Sequence, residues 1–145
     1  MNDYELVKTF QIDGEFQGFD DDMLFKMSDG TYWIQDQYMY WYYYAYCPKG
    51  SLLRANGRLY LKIDGQDQTV PVRQIVDVVE AQISGDFNGW EGETTYKLTN
   101  GQVWQQCTYH YEYSYSYSPE AMVYSVGGIY KMKVEGTTAE VRQVE

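Results

Sequence analysis

Apolar and polar positions alternate with a period of two over most of the chain. Met23, Phe25 and Met27 interleave with Leu24 and Lys26, and Leu59, Leu61 and Ile63 interleave with Tyr60 and Lys62. Side chains two apart on an extended strand share a face, so the pattern predicts short strands with one inward and one outward side. No 3.6-residue period competes with it. Turn chemistry separates the strands. Asp29-Gly30 and Asn100-Gly101 are hairpin pairs suited to a type I′ turn, in which both central residues take positive φ, and Asn56-Gly57 and Gly127-Gly128 repeat the signal. Pro48 and Pro119 each close a tyrosine-rich run, because proline lacks the N–H that a continued ladder needs.

The chain also repeats itself. Gln11-Ile12-x-Gly14-x-Phe16-x-Gly18-Phe19 aligns with Gln82-Ile83-x-Gly85-x-Phe87-x-Gly89-Trp90 at a spacing of 71 residues, Ile12 against Ile83. Lys26, Trp33, Gln35 and Pro48 meet Lys97, Trp104, Gln106 and Pro119 in the same register. After Gly65 and Gly136 the second copy is two residues shorter, and Val72-Arg73-Gln74-Ile75 then resumes against Val141-Arg142-Gln143-Val144. A repeat this long exceeds the span of solenoid units, so each copy is expected to hold its own core. The expectation is an internal duplication giving two small domains, residues 1–75 and 76–145.

Five or six strands in about seventy residues suit a small antiparallel SH3-like barrel better than a sandwich, which needs about seven strands and about 100 residues. The predicted fold is therefore all-β, two tandem SH3-like barrels, with an OB-like barrel as the runner-up. The second copy carries Gly85-x-Phe87-x-Gly89-Trp90, then Asn100-Gly101-Gln102-x-Trp104-x-Gln106, then Tyr109-x-Tyr111-x-Tyr113-x-Tyr115-x-Tyr117-x-Pro119. This string resembles a small bacterial domain of unknown function with an SH3-like barrel, and the likeness covers nearly all of that copy. The first copy departs from it with Thr31-Tyr32 in place of Gln-Val, Asp36 in place of Cys107, and a fully aromatic run around Trp41. The resemblance implies the fold and a bacterial, non-secreted setting, and implies nothing about catalysis.

Tyr38, Tyr40, Tyr42, Tyr44 and Tyr46 form a ladder on one strand face, roughly 26 Å long at about 3.3 Å per residue, and Tyr109 to Tyr117 repeat it. Two or three of these rings are expected to fill the core while the rest brace a neighbouring strand. A groove of tyrosine rings for proline-rich or cationic peptides is the competing expectation. On the opposite face the copies differ: Met39, Trp41 and Tyr43 stand where the second copy has His110, Glu112 and Ser114. An exposed Met39-Trp41-Tyr43 patch needs a cover, so these three, with neighbours Tyr42 and Tyr44, are the predicted partner-binding surface. The cover is expected to be the other domain or a second copy in a homodimer ahead of a foreign protein. Trp33 and Trp104 have the opposite parity from the tyrosines, so a bulge near Asp36 or Cys107 decides which face turns inward.

Composition narrows the function classes. The 145 residues include 17 tyrosines and carry a formal net charge of -10, with 21 acidic and 11 basic side chains. Direct nucleic-acid binding draws most of its affinity from basic groups on phosphates, and this chain lacks the basic excess. An acidic inhibitor that mimics nucleic acid on another protein, as in a phage-type anti-defence protein, is the alternative function; the charge is spread over both copies, so no concentrated mimic surface is expected. The single histidine, His110, shares a strand face with Glu112, and no metal-ligand spacing, nucleophile elbow or phosphate loop frames either residue. Asp20-Asp21-Asp22 reads as a solvated turn in preference to a cation site. The two cysteines, Cys47 and Cys107, form no C-x-x-C motif and read as free thiols. The start carries two acids and no apolar h-region, and no apolar run approaches the roughly 20 residues of a spanning helix, which predicts a cytoplasmic protein without membrane contact. The functional expectation is a non-enzymatic protein-protein interaction module without a cofactor or a metal.

Overall fold

The structure is a computed structural model that describes residues 3–145, and its regular elements are all β-strands. The chain divides after Val76 into two compact units, each with a separate hydrophobic core.

The first unit contains β1 (Glu5–Gln11), β2 (Glu15–Phe19), β3 (Leu24–Lys26), β4 (Tyr32–Gln35), β5 (Trp41–Tyr46), β6 (Lys49–Ala55), β7 (Arg58–Ile63) and β8 (Thr69–Ile75). Six of them form an antiparallel sheet in the order β1-β6-β7-β8-β4-β3, and β2 pairs with β5 as a separate ribbon. The two edges of the sheet meet at one end through the bridge Ile12–Met27. There Asp13 N–H donates to Lys26 O at 2.9 Å and Ser28 N–H donates to Gln11 O at 2.7 Å. Side chains of the predicted inward parity fill the core: Phe25, Met27, Leu61 and Ile63 are buried, and Phe16 and Phe19 reach them from the ribbon.

The second unit contains β9 (Val79–Gln82), β10 (Asp86–Phe87), β11 (Trp90–Glu91), β12 (Thr95–Lys97), β13 (Val103–Gln106), β14 (Tyr111–Glu112), β15 (Ser116–Tyr117), β16 (Glu120–Val126), β17 (Ile129–Val134) and β18 (Thr137–Gln143). Its six-stranded sheet reads β9-β16-β17-β18-β13-β12, the same order of pairing as in the first unit, and the bridge Ile83–Leu98 joins its edges. The ribbon is here two short pairs, β10 with β15 and β11 with β14.

The turns divide into two kinds. Asn56-Gly57 and Gly127-Gly128 have positive φ at both positions, as a type I′ hairpin requires. At Asp29-Gly30 and Asn100-Gly101 only the glycine does. The type I′ expectation fails at those two because the side chain takes over: Asp29 Oδ1 accepts the Thr31 N–H and Asn100 Oδ1 accepts the Gln102 N–H, both at 2.9 Å. An Asx turn of this kind leaves the first residue at ordinary φ and hands the left-handed position to glycine.

Candidate functional site

Each ribbon is held by a glycine and a glutamine. Gly18 has φ +96°, and a Cβ there would stand 1.9 Å from the Trp41 carbonyl oxygen; Gly89 has φ +90° and stands in the same relation to Glu112. Only glycine lets the two backbones of the ribbon approach this closely. Gln35 and Gln106, both 1% exposed, fasten the chain just ahead of the tyrosine strands. The Gln35 amide N–H₂ donates to the carbonyls of Asp20, Gln37 (2.9 Å) and Met39 (3.1 Å), while its oxygen accepts the Asp20 N–H at 2.9 Å. Gln106 donates to the carbonyls of Thr108 (3.0 Å) and His110 (2.7 Å) and accepts the N–H groups of Glu91 and Gly92. The aspartate run Asp20-Asp21-Asp22 is thus the turn that this glutamine secures.

Trp33, Ile34 and Gln35 are buried on β4, and past exposed Gln37 and Tyr38 the residues Met39, Trp41 and Tyr43 are half-buried and packed on the core of the first unit. Trp41 lies 5.0 Å from Phe19 between ring centroids and stacks on Tyr43 at 5.2 Å with the planes 3° apart. The ladder tyrosines all face outward. Tyr38 to Tyr46 are 50–73% exposed and Tyr109 to Tyr117 are 55–91% exposed. The expectation that two or three of them enter the core is therefore overturned, and so is an outward Met39-Trp41-Tyr43 face. The irregularity in register falls within the ribbon, between Phe16 and Gly18, and leaves the alternation of the tyrosines intact. Of the five predicted contact residues, Tyr42 and Tyr44 lie on the open face, and Met39, Trp41 and Tyr43 support it from beneath.

Carboxylates border the open face at matching positions. Tyr44 O–H donates to Glu15 Oε1 at 3.3 Å, and Tyr115 O–H donates to Asp86 Oδ1 at 2.9 Å. Both phenols are raised above the ordinary tyrosine range, Tyr44 first by desolvation and then by Glu15, Tyr115 first by the hydrogen bond to Asp86. In the second unit Tyr109 and Tyr111 meet edge to face at 5.5 Å and border a cleft of about 580 Å³ shared with Glu91, Glu93 and Arg142. The Arg142 guanidinium is engaged by Gln105 Oε1 through two hydrogen bonds of 2.7 and 3.2 Å.

Charge is segregated between sheet and ribbon. All 11 Lys and Arg residues lie on strands of the six-stranded sheets. Segments 12–23, 36–48, 83–94 and 107–119, which make the ribbons and their turns, contain none. They hold Asp13, Glu15, Asp20, Asp21, Asp22 and Asp36 in the first unit and Asp86, Glu91, Glu93 and Glu112 in the second, a charge equal to the whole formal net of -10. Two of these acids reach back to the sheet, Asp13 to Lys26 at 3.5 Å and Asp36 to Arg73 at 3.3 Å. Within each unit the ribbon segments are therefore wholly acidic, whereas the rest of the chain holds the other 11 acids together with all 11 bases.

His110 and Glu112 do meet, with Nε2 and Oε1 3.2 Å apart. Glu112 also accepts the Thr137 hydroxyl at 2.9 Å, and Thr137 accepts the buried Trp90 indole N–H at 2.8 Å. The chain of contacts satisfies the Trp90 indole N–H, and Trp90 and Glu112 occupy the positions of Phe19 and Trp41 in the first unit. Cys47 and Cys107 are free. No helix among the described residues is long and apolar enough to cross a membrane. Comparison with protein-family models, curated proteins and solved structures finds no match to this chain.

Proposed function

We propose that this protein is a non-enzymatic binding module of two duplicated SH3-like barrels, acting in a bacterial cytoplasm, that recognises a protein partner through its tyrosine ladders. The common strand order and the edge-joining bridges Ile12–Met27 and Ile83–Leu98 support the barrel reading and the duplication. Free thiols agree with a reducing compartment.

The observation that carries the function is the exposure of all ten ladder tyrosines, each at least half open to solvent. Strand propensity favours tyrosine, and ten such rings turned outward at matching positions of both units also form a broad contact surface that recognition uses. Tyrosine offers wide, rigid contact area with few side-chain torsions to freeze and a hydroxyl to direct hydrogen bonds. Relative to the sequence expectation, the contact surface moves from Met39, Trp41 and Tyr43 to the ladder that includes Tyr42 and Tyr44.

The test is selection from a random-peptide display library on the wild-type chain, followed by binding to the variant Tyr42→Ser/Tyr44→Ser/Tyr113→Ser/Tyr115→Ser. Selected peptides that lose at least tenfold in affinity for a variant of unchanged thermal stability support the reading; peptides indifferent to it contradict the reading. The alternative, an acidic inhibitor that mimics nucleic acid, draws on the charge of the ribbon segments. Binding of a basic nucleic-acid-processing protein that vanishes with added salt and ignores the tyrosine changes would select it.

A further inference from the structure

We infer that the occupant of the ladders is an extended, arginine-rich segment of a partner protein; this rests on the binding-module reading above. Three observations converge. The ribbon segments hold ten acids and no Lys or Arg, so the aromatic face sits in a locally negative region whose complement is cationic. Carboxylates stand within the ladder, with Glu15 at Tyr44 and Asp86 at Tyr115. And among the described residues β5 pairs with β2 and no other strand, as the short β14 and β15 pair with β11 and β10, so the edges of these strands away from their partners carry no strand pairing.

An extended peptide fits these features together. Tyr42, Tyr44 and Tyr46 on β5 recur about every 6.6 Å, the same repeat as alternate side chains of a peptide laid beside it. Main-chain pairing on the open edge fixes the register, as in β-strand addition. Arginine is favoured over lysine because its planar guanidinium stacks on a phenol ring while still donating to a carboxylate such as Glu15 or Asp86.

The experiment uses the full chain and four labelled peptides, (Arg-Ser)₆, (Lys-Ser)₆, (Thr-Ser)₆ and (Glu-Ser)₆, read by fluorescence anisotropy at low and high salt. The expected result is that (Arg-Ser)₆ binds several-fold tighter than (Lys-Ser)₆, retains measurable affinity at high salt, and leaves the other two unbound. The four-tyrosine serine variant should lose at least tenfold, and Glu15→Gln/Asp86→Asn about threefold or more, with thermal unfolding unchanged in both. Equal binding of (Arg-Ser)₆ by wild type and the tyrosine variant, or an affinity that salt abolishes with no preference for arginine, overturns the inference. So does a ladder-dependent dimer in sedimentation, which would make a second copy the occupant. Ladder-dependent binding of uncharged display peptides without binding of (Arg-Ser)₆ defeats this inference and leaves the binding-module reading standing; no ladder-dependent ligand of any kind defeats both.

Discussion

Trp90 and Glu112 are joined through one hydroxyl: the indole N–H donates to Thr137 Oγ1 at 2.8 Å, and that hydroxyl donates to Glu112 Oε1 at 2.9 Å. At the equivalent positions Phe19 and Trp41 make a ring contact with no polar atom to satisfy. The large ring has moved from one strand of the ribbon to the other, and a carboxylate fills the place it left. Thr137→Val removes the acceptor and leaves a buried N–H unpaired, which should cost about 2 kcal/mol. Chemical denaturation followed by Trp fluorescence measures the loss, and Phe19→Trp in the first unit provides the matching overpacking control.

Gly18 and Gly89 should be the least replaceable glycines. An alanine at either combines positive φ with a Cβ 1.9 Å from a carbonyl oxygen, so the ribbon must separate, at an expected cost of about 3 kcal/mol or more. Gly14→Ala is the comparison, because φ is +97° there and nothing lies within 4 Å, so the cost should stay near 1 kcal/mol. Equal losses at the two sites would argue against the close ribbon pairing.

Gln35→Leu removes the amide that binds the carbonyls of Asp20, Gln37 and Met39. The expected penalty is about 2–4 kcal/mol, since several buried backbone groups lose their partner at once. Hydrogen exchange should quicken from Gln37 to Tyr43 while β6 and β7 keep their protection.

Tyr96 gives a stability change at alkaline pH. Its hydroxyl donates to Gly89 O at 2.6 Å, and burial pushes its pKa up to about 12. The unfolded chain ionises at the ordinary value near 10, so its contribution to stability is complete below about pH 10 and is lost as pH rises towards about 12. At about 1.4 kcal/mol per tenfold change in proton affinity, the loss is at most roughly 3 kcal/mol. Tyr96→Phe, which copies Phe25 of the first unit, should flatten this dependence in urea melts from pH 9 to pH 12.

Strand positions, the turn sites and much of the core are legible in the sequence because period-two alternation and Gly-containing turns are local signals. Phe25, Met27, Leu61 and Ile63 are buried as their pattern indicates, while Leu24 on the opposite face is buried as well and Met23 and Leu59 are only half-buried. The ladder is different. Five tyrosines on one face outweigh Met39, Trp41 and Tyr43 in apolar bulk, so burial preference alone points the wrong way. In the structure Met39, Trp41 and Tyr43 pack on the core instead, and the buried Gln35 amide, through its long-range bond to Asp20, fastens the chain just ahead of them. The pairing of Gln35 with Gln106, and of Glu15 with Asp86, at the 71-residue spacing was the available signal. The confinement of the bases was hidden for a related reason: acids occur throughout the chain, and the base-free segments stand out only when β2 and β5 leave the sheet.

The most direct measurement is photo-CIDNP NMR of the tyrosines during titration with a display-selected peptide. Strong signals are expected from the ladder residues in the free protein, with silence from buried Tyr96 and Tyr124 and loss of ladder signals on saturation. Ladder signals that survive saturating peptide undiminished would contradict recognition through the tyrosine face.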